Sequence, residues 1–166
     1  IPEVSDTQID LSINAFIPST WILNREEKLD AYKSVTECSN NNELTELATD
    51  WVNRYGTLPN PVESLILLMR LKLIAKKCGF HKIKLKKPNI LIETKLKKST
   101  FKIFKNSLPS SIQNKFNFDE AEQFSIITIR GLGVTEIQNQ IDQLMLWFGL
   151  FLKEINNFEK NLSKKE

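Results

Sequence analysis

Asn60-Pro61-Val62-Glu63-Ser64-Leu65-Ile66-Leu67-Leu68-Met69-Arg70-Leu71-Lys72-Leu73-Ile74-Ala75-Lys76-Lys77-Cys78-Gly79 is the stretch around which the rest of the chain must pack. Asn60 suits a helix N-cap, and Pro61 suits the first turn, where a missing N–H costs nothing. Glu63 sits at the positive end of the helix dipole and Lys76 and Lys77 at the negative end, with Gly79 as the stop. Between them the apolar residues from Leu65 to Ala75 cover far more than one stripe, and a helix apolar nearly all round is a buried helix. It is too short, and too closely flanked by charge, to span a bilayer.

Working backwards, Gly56-Thr57-Leu58-Pro59 is a rigid connection preceded by an amphipathic helix over 43–55. That helix is expected to bury Leu44, Leu47, Ala48, Trp51 and Val52. Asn24 caps an earlier helix running to about Cys38, with Leu29, Tyr32, Val35 and Thr36 facing inward. The alternation of Ile9, Leu11 and Ile13 with Asp10, Ser12 and Asn14 predicts a strand continuing through Ala15-Phe16-Ile17 and ended by Pro18. Trp21 lies in the turn that follows. Residues 1–8 are a lead-in expected to fray, as is the tail over 159–166.

Working forwards, the period changes to two after Gly79. Phe80, Ile83 and Leu85 interleave with lysines, and Lys87-Pro88-Asn89 turns the chain into a strand over 90–96, a hairpin with its lysines in solvent. A short helix over 99–108, another from Pro109 to Phe116 and a loop over 117–123 follow. A strand over 124–130 then leads through Gly131-Leu132-Gly133 into a last helix from Val134 to Phe158. Helices and grouped strands define an α+β fold. The expectation is a single domain over 1–166, with a small, mostly antiparallel sheet and a buried central helix.

Catalytic signatures are absent from the sequence. There is no phosphate-binding loop, no GxSxG and no HExxH, and the one histidine, His81, supports neither a triad nor a metal site. Gly131-Leu132-Gly133 lacks the third glycine of a dinucleotide fingerprint, because Glu136 stands there, and a carboxylate repels a pyrophosphate. It reads as a plain strand-to-helix turn. No catalytic residue, cofactor or metal is expected, and Cys38 and Cys78 read as buried reduced thiols of a cytoplasmic protein. The chain begins at Ile1 and reads as a fragment. Its charge is uneven: 11 lysines and only Glu93 fall between 76 and 105, against a net +3 for the whole. Lys82, Lys84, Lys86, Lys95, Lys97 and Lys98 are therefore candidates for sequence-independent contact with nucleic acid; a protein contact or a solvated basic face are the other readings.

Ala15-Phe16-Ile17-Pro18 with Trp21-Ile22, Arg25, Leu29 and Tyr32-Lys33 resembles the opening of a known family. Asn53-Arg54-Tyr55-Gly56-Thr57-Leu58-Pro59 resembles that family's Asp-Arg-Phe-Gly-Pro-Leu-Pro, and the helix ending Lys77-Cys78-Gly79 resembles its Arg- and Leu-rich helix ending Lys-Leu-Gly. The family is the C-terminal (TRCF) domain of the bacterial transcription-repair coupling factor, Mfd. Arg130-Gly131-Leu132-Gly133-Val134 and the helix bearing Trp147 resemble its cyanobacterial branch. The resemblance implies a non-catalytic regulatory domain of an ATP-driven DNA translocase whose motor motifs lie outside this chain. It also implies docking on a UvrB-like N-terminal module of the same protein, masking UvrA binding until RNA polymerase is engaged. By position, Asp50, Asn53 and Arg54 would form the docking surface, with Asn53 replacing the family's Asp, so a carboxylate is lost there. No membrane partner is implied.

Overall fold

The computed structural model describes residues 1–165. Among them are five α-helices and a five-stranded sheet, a mixed α/β architecture. The chain divides into two compact units, one of residues 13–73 and one of residues 1–12 with 74–166.

In the first unit, α1 (Arg25–Glu37) starts where Asn24 accepts a hydrogen bond from the Glu27 N–H, and α2 (Asn41–Tyr55) starts in the same way from Asn40 to Glu43. Gly56, at φ +90°, ends α2 in a conformation that only glycine adopts freely. In α3 (Asn60–Lys77), Asn60 is already helical: the Pro59 carbonyl accepts from the Val62 and Glu63 N–H groups, which puts the cap one residue earlier than expected. Ile17, Ile22, Ala31, Val35, Leu44 and Trp51 form one core with Val62, Leu65, Ile66 and Met69 of α3. Every apolar residue of α3 is buried or half-buried, and Leu67, Leu68, Leu73 and Ile74 fall in the half-buried group. Trp21 is an anchor, edge-on to Trp51 at 6.1 Å and tilted against Tyr55 at 5.4 Å.

Three inward assignments fail. Leu29 (58 % exposed), Val52 (42 % exposed) and Thr36 all face solvent. Ala31 and Val35 occupy the inner stripe of α1, so that face is rotated from the one that the larger side chains suggest.

The second unit is built on β1 (Gln8–Asp10), β2 (Phe80–Lys86), β3 (Asn89–Thr94), β4 (Phe116–Asp119) and β5 (Ser125–Ile129), in the order β1-β2-β3-β5-β4. Only β1 is parallel to its neighbour; the other three pairings are antiparallel. The strand expected over 9–17 is a ladder only at 8–10. Beyond it the inward alternation persists to Ile17, but the backbone bonds elsewhere: the Phe16 N–H donates to the Pro61 carbonyl, and the Ile17 N–H to Tyr32 Oη. β4 occupies residues expected in a short helix and a loop, where a single 3-10 turn (Gln113–Lys115) precedes it. The lead-in is anchored rather than loose, because Val4 and Thr7 are buried and Thr7 Oγ1 donates to the Phe80 carbonyl at 2.7 Å.

Helices α4 (Lys98–Ser107) and α5 (Ile137–Lys165) bring Phe101, Phe104, Phe148, Phe151 and Trp147 against the inner side chains of the sheet. Phe80 packs on Phe104 and Phe148, Phe116 on Phe104 and Trp147, and Phe118 stacks on Phe101. A second 3-10 turn (Leu132–Val134) delays the start of α5 to Ile137. At its other end α5 stays helical through 159–165, where a frayed tail is expected; Glu166 lies outside the described residues.

Candidate functional site

Asp50, Asn53 and Arg54 occupy the last turn and a half of α2. Leu44 and Trp51 hold one side of this helix in the core, with Leu47, Ala48 and Tyr55 half-buried beside them, so Asp50, Asn53 and Arg54 fall on the side that faces water. Asp50 and Arg54, one turn apart, pair at 3.5 Å with about half of each side chain exposed. Arg54 also lies over the Tyr55 ring, 5.1 Å from its centroid. Tyr55 Oη donates to Glu27 Oε2 at 3.0 Å and so ties the end of α2 to the start of α1. Partial burial, and next this bond to Glu27, push the Tyr55 phenol above its usual range, so it stays a neutral donor through physiological pH. Between α1 and α2 lies a notch of about 120 Å³ lined by Glu27, Asp30, Asp50, Trp51, Arg54 and Tyr55 among others. Three carboxylates and one guanidinium therefore surround a small opening floored by aromatic rings. Asn53 is exposed on the same helix end. Asp50, Asn53 and Arg54 thus form an outward knuckle that is neutral by itself, and Glu27 and Asp30, which join it from α1, make the cluster net-acidic. Nothing local in the sequence marks Glu27; the Tyr55 contact across 28 residues brings it to the site.

The lysine candidates do not form one uninterrupted basic face. Lys82, Lys84 and Lys86 alternate along β2, but Lys82 is in register with Glu93 and Lys84 with Asp10. Lys84 Nζ lies 3.5 Å from Glu93 Oε1. Lys95 follows β3 and lies over the Phe124 ring at 5.4 Å. Lys97 and Lys98 stand at the start of α4, which has no side-chain cap, so two cations lie at the positive end of a helix. Lys95 and Lys97 line an open groove of about 790 Å³ whose opposite wall carries Glu120 and Glu122.

His81 rests edge-on to Phe124 at 4.9 Å. Burial, and next the neighbouring Lys95, push its pKa down against a smaller opposing pull from Glu93, so the ring is neutral at pH 7. Cys38 and Cys78 are free thiols; Cys78 is buried, whereas Cys38 is only partly so, because it caps the solvent-facing end of α1. Among the described residues no group of three His, Cys, Asp or Glu side chains is placed to hold a metal ion, and no helix is long and apolar enough to cross a membrane.

A five-stranded mixed sheet backed by two helices, with a helical unit that ends in an exposed charged knuckle, defines a mixed α/β domain. The TRCF domain model matches residues 11–104, more than half of the chain, and the chain belongs to that family. Transcription-repair-coupling factors of Escherichia coli and Bacillus subtilis are 30% identical over 77 residues and 32% identical over 74 residues; these matches cover 46% and 45% of this chain and 7% and 6% of the relatives. The protein of the same name from Borreliella burgdorferi is 29% identical over 92 residues, 54% of this chain and 8% of its own length. The chain thus spans less than a tenth of these relatives. A crystal structure of the C-terminal domain of a transcription-repair coupling factor shares the fold, with a TM-score of 0.72 at 20% identity over 90% of this chain and 93% of that one.

Proposed function

We propose that this chain is a non-catalytic regulatory domain of a transcription-repair coupling factor, acting by docking on the UvrB-like N-terminal module of its own parent protein. Docking covers the surface that UvrA uses and is released when the parent engages RNA polymerase. The observation that carries this reading is the exposed Asp50–Arg54 pair on α2, inside the segment that the family model matches. The knuckle is held rigidly from below by Trp51 and from the side by the Tyr55–Glu27 bond, so little side-chain ordering remains to be lost on binding. Its rim carries more carboxylates than cations, which fits a partner face rich in Arg or Lys. A small, charge-dominated contact is also one that a competing conformation can displace, as a releasable inhibitory contact requires. The test is association of this chain with the N-terminal module of its parent, together with UvrA recruitment by the parent lacking residues 1–166. Binding by the isolated chain and increased recruitment on deletion are expected. Absence of association with unchanged recruitment refutes the reading.

A second use, sequence-independent binding of nucleic acid, is supported by one observation: Lys82, Lys84 and Lys86 share a face of β2. Titration with duplex and single-stranded DNA at two salt concentrations tests it, since affinity must fall steeply with salt if phosphates are neutralised.

A further inference from the structure

Helix α5 carries one apolar stripe along its whole length, and only part of it is covered. Ile141, Leu144, Phe148 and Phe151 follow one another at alternating steps of three and four residues and are buried. The same alternation continues without a break through Ile155, Phe158 and Leu162. Ile155 is half-buried, but Phe158 is 47% and Leu162 51% exposed. A three-four alternation keeps all seven residues on one side of a helix, and it is the pattern by which a helix meets another helix in a knobs-into-holes seam. Within this unit α4 and the sheet occupy the first half of the stripe; the second half carries the same repeat beyond them.

The charges around the exposed half are sorted. At about 100° per residue, Glu154 and Glu159 fall on the two borders of the stripe, while Lys153, Lys160 and Lys164 fall on the opposite side of the helix. The seam is thus apolar in the middle and acidic at both edges. In a parallel pairing of two copies, Glu154 of one helix would meet Glu159 of the other, which disfavours that self-association. An acidic border attracts a basic one.

We propose that the α5 segment over 155–162 is a docking seam for an amphipathic helix whose apolar stripe is bordered by Lys or Arg. The surface lies on a different unit from the α2 knuckle and does not depend on its role.

The test uses the whole chain and two synthetic helical peptides with the same leucine stripe, one bordered by lysines and the other by glutamates, with binding measured calorimetrically at low salt. The lysine-bordered peptide is expected to bind about tenfold more tightly, the ratio that two attractive pairs against two repulsive ones supply. The pair Glu154→Gln and Glu159→Gln should remove most of that ratio. Phe158→Ser with Leu162→Ser should reduce binding of the lysine-bordered peptide at least about tenfold while leaving the thermal melt in place, since both side chains are already half in water. Equal affinity for the two peptides, absence of binding, or binding indifferent to the double serine variant overturns the proposal. Concentration-dependent dimerisation abolished by the double serine variant also overturns it, because the seam would then belong to a second copy.

Discussion

Asp50 Oδ2 and Arg54 Nη1 lie 3.5 Å apart on the solvent side of α2, so the charges assigned to docking are already paired with each other. An exposed pair one helical turn apart contributes about 0.3–0.5 kcal/mol to stability, because water screens both charges. Asp50→Ala and Arg54→Ala should each lower the urea-unfolding free energy by less than about 1 kcal/mol. On the docking reading, each should weaken association with the parent's N-terminal module by far more, with the loss read by calorimetry. A stability loss as large as the affinity loss would mean that the pair is structural.

Asn53 gives the converse experiment. Asn53→Asp restores the carboxylate of the family pattern on an exposed position near the C-terminal end of α2. A negative charge there opposes the helix dipole, so the isolated chain should lose about 0.3–1 kcal/mol. Docking on a basic partner face should tighten nonetheless and become more salt-sensitive. Tightening without added salt dependence would remove the ionic part of the argument.

Leu68→Ala and Leu71→Ala separate the buried from the half-buried side of α3. Leu71 is fully buried, whereas Leu68 is half-buried. Truncation of Leu71 should cost about 2–5 kcal/mol, and that of Leu68 less than half as much, measured by denaturant unfolding. From sequence alone the two leucines are equivalent, because a run in which almost every residue is apolar carries no phase.

That contrast indicates what the sequence could reveal. Chain punctuation is written locally: Asn24 and Asn40 cap their helices through their own side chains, and Gly56 and Gly79 end theirs at positive φ. The facing of weakly amphipathic helices is not local, and α1 buries Ala31 and Val35 while Leu29 stays in water. β4 carries no local signal, because its ladder partner, β5, follows it across a loop rather than a tight turn, and Phe116-Asn117-Phe118 alone is too short for a period to register. At the candidate site, Asp50, Asn53 and Arg54 are legible through resemblance to a family motif. Glu27 and Asp30 are not, because they join the notch only through the packing of α1 beside α2.

The two glycines of Gly131-Leu132-Gly133 serve different ends, and substitution should tell them apart. Gly131 is left-handed, at φ +80°, with open space where a Cβ would sit. Gly131→Ala should therefore cost only the conformational penalty, about 1–2 kcal/mol, with Gly131→Asn cheaper. A Cβ at Gly133 would lie 2.6 Å from the Asn89 carbonyl oxygen and 2.9 Å from that of Pro88, both backbone atoms. The Gly133 N–H also donates to the Pro88 carbonyl at 2.9 Å. Gly133→Ala must push the β2–β3 turn away from the start of α5, and it should cost more than Gly131→Ala, about 1–3 kcal/mol or beyond. The reverse order in thermal melts would show that this turn yields easily.

Cys78 should make the chain progressively less stable in alkali. Its side chain is buried, and Sγ donates to the Phe148 carbonyl at 3.7 Å, so the thiolate would lose both its solvation and its only described acceptor. Burial therefore pushes the thiol well above its ordinary range. In the unfolded chain the same thiol ionises near its ordinary value, about 8.5. Above that pH the unfolded state releases a proton that the folded state keeps, so the stabilisation present below pH 8.5 is lost as pH rises, by about 1.4 kcal/mol per pH unit. Other groups titrate in the same window, and Cys78→Ala, which removes the thiol but not those groups, isolates its share. The difference in unfolding free energy between the two proteins should shrink between pH 8 and pH 10. Cys38, partly exposed at the end of α1, should react with a thiol reagent in the native state, while Cys78 should react only at the rate of unfolding. Fast native labelling of both thiols, or a difference independent of pH, would show that Cys78 is reached by water.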